Sequence, residues 1–351
     1  TQAGAAKLAL ASSLMFWGGV ISTVLGLLGL GSVLEIVPED VLSAFTTCAA
    51  FNIMITQLGS LFQITVASSH APIFMLRNAL LALPTAKLFT TAFSAAAIGM
   101  LLAIKKAPLH SWLKMPDSVP KSLFGSLGPF LTMVAFTGIN AAFGLTATQG
   151  LQEVGIVPSG LPSFTPTIFH PDLSKHIKDI FIITFVFLTE TLAMGKALAA
   201  KAGQVLDNSQ EFVAMGVANT LGSFFQSYPC AGSFSRTAVV ASTGGSSQLA
   251  GIVTALSVVL VLTFLTPYFT HVPKAVLAAC LIVAVSGLVD TKRIGELWNE
   301  SKGEFGLYLV YCAFMLTLGA AEGLMASVAV YYGLQFLKKL GGSLFSKPAT
   351  N

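Results

Sequence analysis

Apolar segments long enough to cross a membrane follow one another along almost the whole chain. A spanning helix needs about 20 mostly apolar residues. Only 10% of the residues are charged, against about 25% in soluble domains. The sequence therefore predicts an all-α polytopic membrane protein. The apolar segments lie at 8–33, 42–62, 80–104, 125–147, 179–200, 211–228, 247–270, 273–288, 305–319 and 321–337.

One apolar run is interrupted near the middle of the chain. The segment that ends at 228 is followed by Pro229 and Gly232, and Ser233 then stands where a new helix can begin. Serine is a preferred N-cap residue, and glycine lets the chain turn sharply before it. We expect a short helix at 233–244, which brings the total to about eleven segments.

The residues at the start of this short helix have the chemistry of an anion site. An arginine among membrane segments is costly, by about 2.5–3.5 kcal/mol on insertion scales, and usually has a function. The amino end of a broken helix offers unpaired N–H groups and a positive dipole end. Ser233, Ser235 and Arg236 would together bind an anion. The alternative is that Arg236 only bonds the carbonyls of neighbouring helices.

Glu190 is the second candidate site residue, because it lies inside the apolar segment 179–200. Burial raises the pKa of a carboxylate and a nearby guanidinium lowers it, so a group held between the two can carry a proton. A permanent ion pair with Arg236 is the other interpretation. The two overlap, since a pair that breaks during a transport cycle also couples proton and anion.

The distribution of basic residues predicts the orientation in the membrane. Placing the end of the chain in the cytosol puts about twice as many Lys and Arg residues on the cytosolic side as on the other, which agrees with the positive-inside rule. The loop 148–178 is then extracytosolic, and residues 341–351 form a cytosolic tail.

Other classes of function find little support. The histidines, cysteines and carboxylates show no metal-ligand spacing and no nucleophile–base arrangement, so we expect neither an enzyme nor a metal or other cofactor. The net charge of +4 comes without a basic run, which argues against nucleic-acid binding.

Several stretches, in this order along the chain, resemble the sulfate permease (SulP) anion-transporter superfamily. The resemblance covers nearly the whole sequence. The stretches are AFTTCAA at 44–50, VPSGLP at 157–162, NSQEFVAMGVAN at 208–219, GSFF at 222–225, GSFSRTA at 232–238, QLAG at 248–251, VPKAVLAA at 272–279 and GLVD at 287–290.

The resemblance implies a fold of two inverted repeats of seven segments, in which a core domain moves against a gate domain. The first repeat would end at 147 and the second would span 179–340. Ser233, Phe234, Ser235 and Arg236 match the anion site on the second of two half-helices, and Glu190 matches an acidic position linked to proton coupling. Two parts of the family pattern have no counterpart here, namely the first three segments and the C-terminal STAS domain. We expect a trimmed sequence, because the chain begins with Thr1.

The function expected from these features is secondary active transport of an inorganic anion, with proton-coupled sulfate uptake favoured. Bicarbonate or chloride transport, by sodium symport or by exchange, is the alternative on the same scaffold. A non-transporting membrane protein derived from this fold is the second alternative. A homodimer is a family expectation, and both the plasma membrane and the vacuolar membrane remain open as locations.

Overall fold

A computed structural model describes residues 2–32, 37–67, 69, 71–106, 122–233, 237 and 247–345. The regular structure in these ranges is helical, which confirms the predicted fold class. The α-helices are α1 (Gln2–Leu27), α2 (Glu39–Phe62), α3 (Pro72–Ala82), α4 (Leu88–Lys106), α5 (Ser122–Phe143), α6 (Leu145–Gln149), α7 (Ile177–Ala202), α8 (Asn208–Ser223), α9 (Leu249–Leu260), α10 (Lys274–Val285), α11 (Thr291–Glu300), α12 (Lys302–Leu318) and α13 (Ala320–Phe345).

Five stretches of the described chain are long and apolar enough to cross a membrane. A sixth, Leu127–Phe143, is apolar but shorter. Many of their large apolar side chains are exposed, as expected of surfaces that face lipid. The five stretches are Gly4–Leu27, Glu39–Phe62, Leu88–Lys105, Leu249–His271 and Lys274–Glu300.

Several of the predicted segments have different limits in the structure. The segment predicted at 211–228 ends at Ser223, and the one predicted at 321–337 continues to Phe345, within the predicted tail. The segment predicted at 80–104 begins only at Leu88, because α3 ends at Ala82 and Pro84 lies in a 3-10 turn. The segment predicted at 125–147 is divided at Gly144, which has φ +57 and begins the short α6. The segment predicted at 8–33 ends at Leu27. The predicted short helix at 233–244 lies almost wholly outside the described residues.

The helices pack into two groups around separate apolar cores. The small bundle consists of α1, α7 and α8, and its core includes Phe187, Leu188, Leu192 and Phe212. The large bundle consists of α2, α4, α5 and α10–α13, and α2 and α10 carry much of its core. Phe185 on α7 packs against the core of the large bundle, so α7 lies where the two groups meet.

Close approach of glycines joins α1 to α8 in the small bundle. A Cβ on Gly19 would come within 2.6 Å of the Thr220 amide nitrogen, and a Cβ on Gly216 would come within 2.7 Å of the Gly19 carbonyl oxygen. Small residues at such positions let helix backbones pack closely. The two helices are therefore held at a short separation that no larger residue would allow.

Glycines at the end of α1 have two different roles. Gly26 and Gly31 also pack against the start of α8, where the Gly31 amide donates to Ser209 Oγ at 3.1 Å. Gly29 has open space around it and φ +72, so it serves the turn after α1 instead.

We expect Gly216→Ala to lower the stability of the protein, because the added methyl group overlaps backbone atoms of α1 and such overpacking costs about 1–3 kcal/mol. Thermal unfolding of the purified protein in detergent measures the effect. Gly251→Ala is the matched control, since Gly251 in α9 has nothing within 4 Å of an added Cβ. Equal unfolding temperatures for the two variants would contradict the packing assignment.

Candidate functional site

After the turn at 224–226, residues 227–233 have no helical structure. One buried side chain holds this stretch, which is called the extended segment below. Asn219 on α8 is fully buried. Its Nδ2 donates to the Cys230 carbonyl oxygen at 3.1 Å, and its Oδ1 accepts from the Cys230 amide nitrogen at 2.9 Å. Nδ2 also donates to the Met215 carbonyl oxygen, at 2.9 Å. A single amide thus pairs both backbone groups of Cys230, as a neighbouring strand would.

The next contact joins this extended segment to α7. The Gly232 amide donates to Thr191 Oγ1 at 3.1 Å, and Thr191 Oγ1 donates to the Phe187 carbonyl oxygen at 2.7 Å. A Cβ on Gly232 would overlap the methyl group of Met194 on α7. A larger residue at 232 would therefore require the end of the Met194 side chain to shift, while the α7 backbone at Thr191 would lie at an ordinary contact distance of 3.6 Å.

Ser233 follows immediately, where the sequence predicts the anion site. Its carbonyl oxygen accepts a hydrogen bond from the Thr237 amide nitrogen at 3.0 Å. An N-cap residue accepts this bond at the beginning of a helix. The other residues predicted for the anion site, Phe234, Ser235 and Arg236, lie outside the described residues.

Glu190 lies on α7 and is half-buried. It is adjacent in sequence to Thr191, so the contact with Gly232 brings the turn of α7 that carries Glu190 next to the backbone that leads into Ser233. Within the described part of the chain, Glu190 makes no ion pair or hydrogen bond, and the buried Thr189 hydroxyl has no hydrogen-bond partner. The predicted pairing of Glu190 with Arg236 involves a residue outside the described ranges.

Sequence reasoning missed the residues that position this site. The sequence analysis singles out neither the contact between Thr191 and Gly232 nor the bonds of Asn219 to the extended segment. A signal for Asn219 exists in the sequence. The broken run leaves backbone N–H and C=O groups at 229–232 that need partners inside a membrane protein, and Asn219 and Gln226 are the two amide side chains on the preceding apolar segment.

A polar cluster on the predicted extracytosolic side joins the loop after α6 to the segment before α10. Glu153 Oε1 accepts from Thr146 Oγ1 at 2.7 Å and from Asn140 Nδ2 at 2.8 Å, and Glu153 Oε2 lies 3.3 Å from His271 Nδ1. The backbones also pair, with the Val154 amide donating to the Val272 carbonyl oxygen at 2.9 Å. The Thr146 hydroxyl is the main cause of a lowered pKa at Glu153.

Several helices of the described chain are long and apolar enough to cross a membrane, as in a polytopic membrane protein. The chain belongs to the Sulfate permease family, whose sequence profile matches residues 2–311. This is a family of anion transporters.

Curated relatives align with almost the whole chain. Solute carrier family 26 member 6 of Homo sapiens is 31% identical over 333 residues, which cover 93% of this chain and 43% of the relative. Sulfate transporter 4.1, chloroplastic, of Arabidopsis thaliana is 31% identical over 325 residues, with 91% and 45% covered. Prestin of Mus musculus is 29% identical over 333 residues, with 93% and 43% covered. The chain thus spans less than half the length of these relatives.

Solved structures share the fold. Murine Solute Carrier 26 family member A9, in the inward-facing state, superposes with a TM-score of 0.82 at 24% identity, over 95% of this chain and 53% of that one. The transmembrane domain of a cyanobacterium bicarbonate transporter, BicA, superposes with a TM-score of 0.67 at 19% identity, over 92% of this chain and 76% of that one. The predicted transporter fold is therefore confirmed.

We expect Asn219→Leu to release the extended segment, because the substitution removes the two hydrogen bonds between Asn219 and the Cys230 backbone, each worth about 1 kcal/mol. The exposed Cys230 thiol reports on this change. Its rate of labelling by a maleimide should rise in a background in which the other three cysteines are alanine.

The matched control for Asn219→Leu is Asn78→Leu, which also removes a side-chain bond to a backbone carbonyl, that of Ala67, but lies far along the chain on α3. It should leave the labelling of Cys230 unchanged. A labelling rate in Asn219→Leu that equals the rate in this control would show that Asn219 does not hold the segment.

We expect Glu153→Gln to lower stability at neutral pH by about 1 kcal/mol, since hydrogen bonds to a charged group are worth slightly more than neutral ones. The folded protein has the lower pKa at Glu153. Its contribution is therefore complete above the ordinary value of 4.5 and is lost as the pH falls through the folded-state pKa.

The unfolding temperatures of wild type and Glu153→Gln, measured from pH 7 downwards, test this dependence. The two curves should converge below about pH 4.5, the ordinary value for this carboxyl group. A difference that is constant over the whole pH range would show that the charge of Glu153 does not contribute.

Proposed function

We propose that the protein is the membrane part of a secondary active transporter of inorganic anions that works by alternating access. The observation that carries this proposal is the hydrogen bond between the Gly232 amide and Thr191 Oγ1, 3.1 Å long. It brings the beginning of the predicted anion-binding helix next to the turn of α7 that carries Glu190. An anion site and a proton-carrying group in one place are what a coupled transporter needs.

The anion would bind at the amino end of the helix that begins at Ser233. Backbone N–H groups, the hydroxyls of Ser233 and Ser235, and the guanidinium of Arg236 supply positive potential and donors there. Phe234 would form an apolar wall of the site. The bond from Thr237 to the Ser233 carbonyl supports this arrangement, because it is the one expected when Ser233 caps the helix.

Glu190 would couple the anion to a proton. A dianion beside a carboxylate is repelled, so proton uptake by Glu190 favours anion binding, and the loaded site then moves with one negative charge fewer. Such coupling requires that proton and anion bind unequally to the two states of the carrier, because a ligand with equal affinity for both shifts nothing.

Sulfate is the substrate we favour, driven by a proton gradient. The resemblance of residues 232–238 to sulfate permeases and the likeness to an Arabidopsis thaliana sulfate transporter support it. Uptake of labelled sulfate into proteoliposomes that contain the whole protein, with the outside acidified and with bicarbonate and chloride as competitors, tests it. Uptake displaced by bicarbonate or chloride would favour a sodium symporter or an exchanger, and movement of no anion would favour a non-transporting role.

We expect Arg236→Ala to remove measurable sulfate binding. A hydrogen bond to a charged group is worth about 1.5–3 kcal/mol, so its loss weakens binding by about 10- to 150-fold. Calorimetric titration with sulfate provides the affinity. Arg77→Ala is the control, because Arg77 is an exposed arginine on α3. Wild-type affinity in Arg236→Ala would rule out this anion site.

We expect Glu190→Gln to remove the stimulation of sulfate uptake by external acid while sparing sulfate–sulfate exchange, since glutamine cannot take up a proton. Uptake measured as a function of external pH distinguishes the two activities. The control is Glu304→Gln at the exposed start of α12. An unchanged pH profile in Glu190→Gln would make Glu190 structural.

A further inference from the structure

A deep apolar slot lies between the small bundle and α13. Its volume is about 650 Å³, which is within the range of about 300–1,000 Å³ of small-molecule sites. Side chains from both sides form its walls: Leu25 of α1, Phe181, Phe185 and Leu188 of α7, Phe212 of α8, and Met325 of α13. The slot is thus bounded by both helix groups.

The depth of the slot matches one leaflet of a bilayer. Lys178 and Leu188, which both line it, are ten residues apart on α7, so they are separated by about 15 Å along the helix axis. This is about half of the 30 Å hydrocarbon thickness. Phe181 and Met325 are 58% and 51% exposed, so the slot is open at its side, where the surrounding surface is apolar.

The mouth of the slot carries one charge of each sign. Lys178 stands at the start of α7 and Glu322 at the start of α13, and both are exposed. Neither forms an ion pair with another residue in the parts of the chain that the structure describes. Both helices begin on the predicted extracytosolic side. Below these two residues the walls are apolar, and the hydroxyl of Thr184 is already bonded to the Ile180 carbonyl oxygen, at 2.7 Å.

We propose that this slot binds one zwitterionic glycerophospholipid from the extracytosolic leaflet. One acyl chain fills the slot down to Leu188, the phosphate binds Lys178, and the ammonium group of the headgroup binds Glu322. The proposal goes beyond the transport function, since it concerns a site that neither Glu190 nor Ser233 lines.

The chemistry of the mouth favours this ligand over other amphiphiles. An anionic lipid would satisfy Lys178 but place its charge beside Glu322, and a cationic amphiphile would have the opposite conflict. A polar soluble ligand would find no free donor or acceptor along the described apolar walls and would lose its hydration there. Only a headgroup with both charges matches both side chains.

A lipid in this position touches both helix groups at once. Met325 belongs to the large bundle, whereas Leu25, Leu188 and Phe212 belong to the small one. Any movement of one bundle against the other would therefore change the shape of the slot and the contacts of its acyl chain.

Native mass spectrometry of the whole protein tests occupancy of the slot. The protein is released from nanodiscs that contain equal amounts of phosphatidylcholine and phosphatidylglycerol. Wild type should retain one phosphatidylcholine, and Met325→Trp should lose it, because the indole fills the slot. Leu337→Trp is the matched control, since Leu337 is exposed on the same helix and does not line the slot. Equal retention of lipid in Met325→Trp and in this control would overturn the proposal.

Variants at the mouth test the choice of headgroup. Glu322→Ala should reduce the preference for phosphatidylcholine over phosphatidylglycerol by about fivefold, the effect of an exposed ion pair near the upper end of the usual range. Lys178→Ala should keep that preference and reduce the amount of lipid retained by about fivefold, because both lipids carry the phosphate that Lys178 binds. Lys175→Ala is the control, because Lys175 lies close in sequence but binds Asp172 at 2.6 Å. A retained lipid that mirrors the bulk mixture in wild type would overturn the zwitterionic assignment. These outcomes are independent of anion transport, and every variant is first checked for a monodisperse elution profile.

Discussion

The side-chain amide of Asn219 makes the contact on which the candidate site depends. Where a spanning helix breaks, its backbone loses the bonds that a membrane interior demands, at several kcal/mol for each unpaired group. Asn219 forms hydrogen bonds with both the backbone amide and the carbonyl of Cys230, and Thr191 Oγ1 accepts a hydrogen bond from the Gly232 amide. The break is therefore stabilised by α7 and α8, and the residues that follow Gly232 begin from a defined position.

Close packing and the extended segment hold the helices of the small bundle together. Gly19 and Gly216 hold α1 against α8 at backbone distance, and the extended segment then joins α8 to α7. Close packing of this kind deforms little under load, because interiors are as dense as organic crystals. In the large bundle, the cluster around Glu153 ties the loop after α6 to the segment before α10. Helix groups packed in this way are compatible with the alternating access proposed above.

The existence of the helices could be predicted from the sequence, but several of their limits could not. Apolar length alone identifies segments such as α2 and α10, because a bilayer requires it. The predicted helix limits were wrong where the residues that end a helix are themselves apolar or small. Pro84 and Gly144 lie inside apolar runs, so hydropathy continues across positions at which the backbone turns. Charge and polarity mark the ends of soluble helices, and here those signals are missing.

In the candidate site, too, local sequence patterns could be predicted, whereas contacts between distant residues could not. A Gly-Ser pair after a proline is a local pattern, so a helix start at Ser233 could be proposed from sequence, as could an isolated carboxylate at Glu190. The contact between Gly232 and Thr191 joins residues 41 positions apart, and it depends on how α7 and α8 pack.

The slot beside α13 depends on tertiary packing in the same way. The sequence presents Phe181 and Leu188 as ordinary lipid-facing or core residues, and only helix packing brings Lys178 and Glu322 to the same apolar space. Residue chemistry therefore suggests which groups can act, whereas helix packing decides which of them act together.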